Sequence, residues 1–339
     1  MKFGAVKTAE GEGAILAHSM QASQPPYDIG LCYRIAKGTA LTAQHLADLT
    51  AEGHGQITVA WLEAGDLHED AAALDLAQAL VPDEEGQGIR ISGAGAGRVN
   101  LYALGAGLVR LDCAALEALN AVDPMITIAT VPDYHRVDGD GMIATIKIIS
   151  YGVSAEVLAR AGAAAEGALR ILPPVFTSAS LIETRVSREV PPDKGRRSMA
   201  GRLHRMGLSL SERVVVRHDE AELATALSAA PGEVLLILTG SATSDPLDVA
   251  PQALRRAGGS VTRFGMPVDP GNLLFLGEYQ ARPVIGLPGC ARSPALNGAD
   301  WVLERVLCGC PVSSSDIAAM GIGGLLKEIP TRPMPRRSD

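Results

Sequence analysis

The stretch Glu233-Val234-Leu235-Leu236-Ile237-Leu238-Thr239-Gly240-Ser241-Ala242-Thr243-Ser244-Asp245-Pro246-Leu247-Asp248 decides the reading of this chain. An almost wholly apolar run from Glu233 to Leu238 reads as a central parallel strand covered on both faces. The residues after it are small, hydroxylated and acidic, which marks a loop at a strand end. Around it the pattern alternates between helix and strand. Met199, Leu203 and Met206 fall at i, i+4 and i+7, predicting a helix over about Arg196 to Arg205 that buries them and exposes Arg196, Arg197, Arg202 and Arg205. Val214 to Val216 reads as a strand, and Asp219 with Glu222 resembles a capping box opening a helix through Leu223, Leu227 and Ala230. A helix near Pro251 to Ala257, strands Ser260 to Phe264 and Pro283 to Leu287, and a helix over about Pro294 to Leu307 complete the series. This is an α/β pattern, expected to form a three-layer αβα sandwich with a mostly parallel sheet.

Upstream, short β-like runs (Ile57 to Leu62, Gly88 to Ser92, Met125 to Val131, Met142 to Ser150) alternate with helices at Thr42 to Glu52, where Thr42 is a candidate N-cap, and Glu69 to Leu80. This half reads as α+β. Prolines at 173, 174, 191 and 192 make Ile171 to Ser198 loop-like, and Pro330, Pro333 and Pro335 mark the tail. The expected division is an α+β region over 1–172, an αβα domain over 173–328 and a disordered tail over 329–339.

With 339 residues the chain has room for two domains with their own cores. Its 30 Lys and Arg against 38 Asp and Glu leave a formal charge of −8, opposite to what a phosphate-tracking surface needs, and four Phe, six Tyr and two Trp leave few rings for base stacking. Nucleic acid is therefore not the expected partner. No run approaches the roughly 20 apolar residues of a membrane span, and Met1 to Ala22 lacks the pattern of a secretory leader, so a cytoplasmic location is expected. Cys32, Cys113, Cys290, Cys308 and Cys310 form no CxxC pair, and the Asp66, His68, Glu69, Asp70 cluster reads as the solvated start of a helix.

In an open parallel sheet the ligand site lies beyond the carboxyl ends of the strands. Two loops qualify: Thr239 to Asp248, whose amides and hydroxyls suit an anion and whose Asp245 and Asp248 suit a cation or the amino groups of a heterocycle, and Pro288-Gly289-Cys290-Ala291-Arg292-Ser293, where Arg292 suits a phosphate or carboxylate. Gly93, Gly95 and Gly97 do not make a dinucleotide fingerprint, because Arg98 to Leu108 continues as β structure and no helix follows. The stretch Arg185 to Arg205 holds seven Lys or Arg, as a solvated face or a place near a phosphate-bearing ligand or partner. Cys290 has no nearby histidine to activate it and reads as a small loop residue.

At these loops the sequence resembles the molybdopterin-binding domains of molybdopterin adenylyltransferase and molybdopterin molybdotransferase. Thr239 to Asp248 resembles their T-S/G-G-x-S-x-G-D-x-D loop, Met266-Pro267-Val268-Asp269-Pro270-Gly271-Asn272 their K-P-G-K segment, and Gly286-Leu287-Pro288-Gly289-Cys290-Ala291-Arg292-Ser293 their G-L-P-G-N-P-x-S segment, in the same order. The likeness covers about residues 175 to 310. The N-terminal half, with Ala36-Lys37-Gly38-Thr39, Gly97-Arg98-Val99-Asn100-Leu101 and Ala144 to Ile149, is similar to a bacterial subgroup of molybdopterin-binding proteins.

The resemblance implies that molybdopterin or the molybdenum cofactor is held by Thr239, Gly240, Ser241, Thr243, Ser244, Pro270, Gly271, Asn272, Pro288, Gly289, Arg292 and Ser293. Asp245 and Asp248 would then be catalytic or Mg²⁺-binding. The chain departs from the pattern at Ser241 and Ser244, which stand for glycines, at Asn272 for the lysine and at Cys290 for the asparagine. These departures bear on molybdate insertion more than on binding. The expected function is a cytosolic protein of cofactor biosynthesis or delivery; the alternatives are a transferase of molybdate or a nucleotidyl group, and a scaffold docking a molybdoenzyme or a nucleotidyltransferase. A homo-oligomer is expected from the family.

Overall fold

The computed structural model describes residues 1–27 and 30–328; the expected disordered tail over 329–339 lies outside them. The chain divides into two compact units, the first made of Met1–Leu104, Val109–His135 and Gly139–Ile171, the second of the chain from Leu172 onward together with Gly105–Leu108 and Arg136–Asp138.

The first unit is built on antiparallel pairing. Gln56–Trp61 lies between Lys2–Lys7 and Ile15–Leu16, and a four-stranded sheet runs in the order Ile126–Thr130, Met142–Ile148, Arg98–Ala103, Ile89–Ile91. Alternation sets its buried face: Val99, Leu101 and Ala103 on one strand and Ala144, Ile146 and Ile148 on its neighbour are buried. The helix Glu69–Leu80 packs against these two strands through Ala72, Ala73, Leu76 and Ala77. Thr42 caps its helix as the sequence suggests, accepting from His45 N. The Gly93 to Gly97 turn leads into the strand Arg98–Ala103 and no helix follows it.

The second unit holds the parallel sheet. In chain order its elements are β1 (Ser178–Arg185), α1 (Lys194–Arg205), β2 (Ser209–Leu210), β3 (Val214–Arg217), α2 (Glu220–Ala229), β4 (Val234–Leu238), α3 (Val249–Arg256), β5 (Ser260–Phe264), β6 (Phe275–Tyr279), β7 (Arg282–Leu287) and α4 (Gly298–Leu307). The sheet order is β2-β1-β4-β7-β6-β5, with β3 also on β1. Pairings among β1, β2, β3, β4 and β7 are parallel, while β6 and β5 are antiparallel. β4 is buried along its whole length. Its Leu235 and Ile237 pack with Leu223 and Leu227 of α2 and Ala250, Ala253 and Leu254 of α3, whereas Leu238 meets Gly195 at the start of α1. Both faces of the strand are covered, which is why it lacks alternation.

Three sequence expectations are corrected here. Ile171 to Ser198, read as loop, contains β1, one of the most buried strands. Polar residues disguise it, because Ser180, Glu183 and Thr184 are buried and each is satisfied: Ser180 Oγ accepts from Gly232 N at 2.9 Å, and Glu183 pairs with Arg213 through contacts of 2.7 and 3.1 Å. A strand over Phe275–Tyr279 was not expected. It forms a hairpin with β7 through Gln280 and Ala281, both at positive φ, in a two-residue turn that normally announces itself with Asn or Gly. α4 begins at Gly298, not Pro294, because Asn297 closes a capping box with Asp300.

Candidate functional site

The register brings four connections to one rim of this sheet. Glu183 lies opposite Leu238 and Leu238 opposite Leu287, so β1, β4 and β7 end together. Phe264 pairs with Phe275 and Phe275 with Gly286, which places the 265–274 turn at that same end. The expected site segments Thr239 to Ser244, Pro270 to Asn272 and Pro288 to Ser293 thus leave neighbouring strand ends.

They are also tied to one another. The Arg292 Nη2 donates to the carbonyl of Thr239 at 2.6 Å, joining the third segment to the first. The Gly298 amide donates to the carbonyl of Pro270 at 2.8 Å, joining the second segment to the start of α4. Gly271 is buried with φ at +144°, and a Cβ there would stand 2.7 Å from the Gly298 nitrogen, so this contact requires glycine.

The first loop is shaped by its own polar groups. Thr239 and Thr243 are buried with their hydroxyls 3.3 Å apart, while Ser241, Ala242, Ser244 and Asp245 are exposed. Asp248 caps α3: Oδ1 accepts from Val249 N at 2.7 Å and Oδ2 from Ser244 N at 3.2 Å. Asp245 Oδ1 accepts from Leu247 N at 2.7 Å. Among the described residues, the amides of Ser241, Ala242 and Thr243 donate to no protein acceptor. Three consecutive amides without a protein acceptor, at the end of a strand, suit an anion.

Gly240 sits against the end of β1. Its amide donates to Thr184 Oγ1 at 2.8 Å, and a Cβ would lie 2.7 Å from the Thr184 oxygen and 3.2 Å from Arg185 Cα. Thr184 Oγ1 also lies 2.9 Å from His218 Nδ1.

Sequence reasoning missed the buttress behind the third segment. Arg202, expected to be exposed, is 6% exposed and pairs with Asp300 of α4. It donates to the carbonyls of Ala291 at 3.0 Å, Ser293 at 2.8 Å and Ala295 at 3.2 Å. Ser198 on the same helix donates to the Arg292 carbonyl at 2.8 Å. One buried guanidinium therefore fixes the path of the loop that carries Arg292. A signal existed: Arg202 lies next to Leu203 and three residues after Met199, within the buried arc of α1. Cys290 sits among these groups, and burial pushes its thiol up from the ordinary range, with Asp300 adding to the effect. That suits a small loop residue rather than a nucleophile.

The two carboxylates differ in what they offer a cation. Both oxygens of Asp248 are held by amides, whereas Asp245 Oδ2 has no hydrogen-bond partner among the described residues. Among the described residues no three His, Cys, Asp or Glu gather as a metal-binding group, and no helix is long and apolar enough to cross a membrane.

A family model described as a probable molybdopterin binding domain matches residues 175–307. Among solved structures, the crystal structure of the molybdopterin biosynthesis moea protein from Pyrococcus horikosii is 15% identical, covering 90% of this chain and 75% of that one, with a TM-score of 0.30. No curated protein matches the chain. The matched segment includes β1 through α4 and each of the rim connections described above.

Proposed function

We propose that the protein binds molybdopterin or the molybdenum cofactor at this rim and acts in the biosynthesis or delivery of that cofactor. The reading takes the second unit as a three-layer αβα domain. The observation that carries it is the pairing of the three unpaired amides at Ser241 to Thr243 with Arg292, whose guanidinium is anchored to the same loop at Thr239. An anionic group of the ligand, such as its phosphate, would accept from those amides and from the remaining donors of Arg292. Ser241 and Ser244 add exposed hydroxyls, and Asp245 can accept from the amino group of a pterin ring. Pro270, Gly271 and Asn272, and Pro288, Gly289 and Ser293, would border the same ligand.

Mg²⁺ commonly binds through one or two protein carboxylates together with substrate phosphate. Asp245 fits that part, and Asp248 acts instead as the cap that holds the loop to α3. The ion would offset charge on the ligand's phosphate.

Mass spectrometry of small molecules released from the purified full-length chain tests the reading. A pterin carrying the dithiolene side chain or its oxidised derivative is the expected product. Repeated anaerobic preparations that contain no pterin, and that take none up on addition of molybdopterin, would overturn it. Turnover of adenylylated molybdopterin with molybdate and Mg²⁺ would assign a transferase rather than a carrier.

A further inference from the structure

The arginines of the Arg185 to Arg205 stretch do not share one face. Arg202 is buried behind the rim, while Arg185 and Arg188 emerge at the end of β1 and meet a residue from outside the stretch, Arg217 at the end of β3. Arg185 and Arg217 are register partners on parallel neighbours, so two guanidiniums leave adjacent strand ends side by side. With His218 and Asp219 they line a cavity of about 510 Å³.

The acids nearby neutralise Arg217 but form no ion pair with Arg185 or Arg188 among the described residues. Asp219 is engaged as the cap of α2, accepting from Ala221 N at 3.0 Å and Glu222 N at 3.1 Å. Glu222 pairs with Arg217. Arg185 has a single contact, Nη1 to the Ser187 carbonyl at 2.9 Å, and Arg188 has no ion pair or hydrogen bond among the described residues. Two unneutralised guanidiniums on the wall of one cavity repel each other, and an anion between them relieves the repulsion. Their several donors suit an oxyanion with multiple acceptor oxygens, which is the chemistry of a phosphoryl group. His218 completes the wall.

We infer that this cavity is a phosphoryl-binding subsite, built by Arg185, Arg188, Arg217 and His218 and taking a phosphomonoester or pyrophosphate group. It adjoins the first loop, since Gly240 packs on the Arg185 backbone. It stands independently of what that loop binds.

The test is calorimetric titration of inorganic pyrophosphate into the full chain at constant ionic strength. One saturable site is expected, weakened about tenfold by Arg188→Ala and by Arg185→Ala, as loss of a charge-assisted contact implies. Arg160→Ala, at an exposed position on a helix of the first unit, is expected to leave it unchanged. Arg188 is exposed and without partners, so its variant folds, which circular dichroism checks. No saturable binding, or equal weakening by Arg160→Ala, would overturn the proposal. So would loss of pyrophosphate binding in Arg292→Ala, because the anion would then lie in the neighbouring loop. Retained pyrophosphate binding in a preparation that takes up no molybdopterin would separate this subsite from the proposed function.

Discussion

Arg292 reaches from the turn after β7 to the carbonyl of Thr239 after β4, and this 2.6 Å contact joins two connections that lie 53 residues apart in the chain. Its side chain is half-buried, and Gly195 of α1 closes over its methylene groups. The guanidinium therefore has both a fixed position and spare donors, which is the condition for recognising an anion with little reordering.

Replacing it tests that role. Arg292→Ala is expected to weaken molybdopterin binding by about tenfold to about a hundredfold, the range for losing hydrogen bonds to a charged group. Affinity equal to that of the unaltered protein in calorimetric titration would remove Arg292 from the site.

Gly240 tests the first loop separately. A methyl group at this position meets the Thr184 carbonyl at 2.7 Å and backbone atoms of Arg185 and Val186 at 3.2 Å, none of which can swing aside. Gly240→Ala is expected to cost about 1–3 kcal/mol of stability through overpacking and to displace the amides that follow. Urea denaturation and molybdopterin titration measure the two effects. An unchanged midpoint together with unchanged affinity would show that the close approach is immaterial.

Arg202 predicts a purely structural loss. Arg202→Met leaves the Asp300 carboxylate buried without its cation and three loop carbonyls without their donor. Removing one partner of a buried pair costs about 3–5 kcal/mol. A fall below about 1 kcal/mol in chemical denaturation would contradict the assigned role.

Much of this architecture can be read from the residues, and the exceptions have physical reasons. β4 was legible because burial on both faces leaves an unbroken apolar run. β1 was not, because its buried Ser180, Glu183 and Thr184 meet partners that come from distant parts of the chain. β6 stayed hidden because Gln280 and Ala281 adopt a turn conformation that their side chains do not favour. At the rim, the loops announced themselves by composition, whereas the Arg202 buttress was signalled only by its place in the buried arc of α1. An arginine on an amphipathic helix looks solvated until its buried acceptors are known.

Glu304 gives a pH dependence. It lies on α4 one turn after Asp300, with Arg136 Nε at 3.7 Å, and burial, reinforced by Asp300, pushes its carboxyl up to about 8 against the opposing pull of Arg136. The folded protein therefore keeps a proton that the unfolded chain releases near 4.5. This contribution to stability is fully present below about 4.5 and is lost as pH rises through about 8. Glu304→Gln is expected to remove that decline, so its stability relative to the parent rises across the window. Parallel denaturation curves at every pH for parent and variant would contradict it.

Whether the rim holds the anionic end of a pterin is measured by anaerobic titration of molybdopterin into the full chain. Saturable binding is expected, weakened by both Arg292→Ala and Gly240→Ala and unchanged in Arg160→Ala. Absence of saturable binding, or binding indifferent to both rim substitutions, would contradict it.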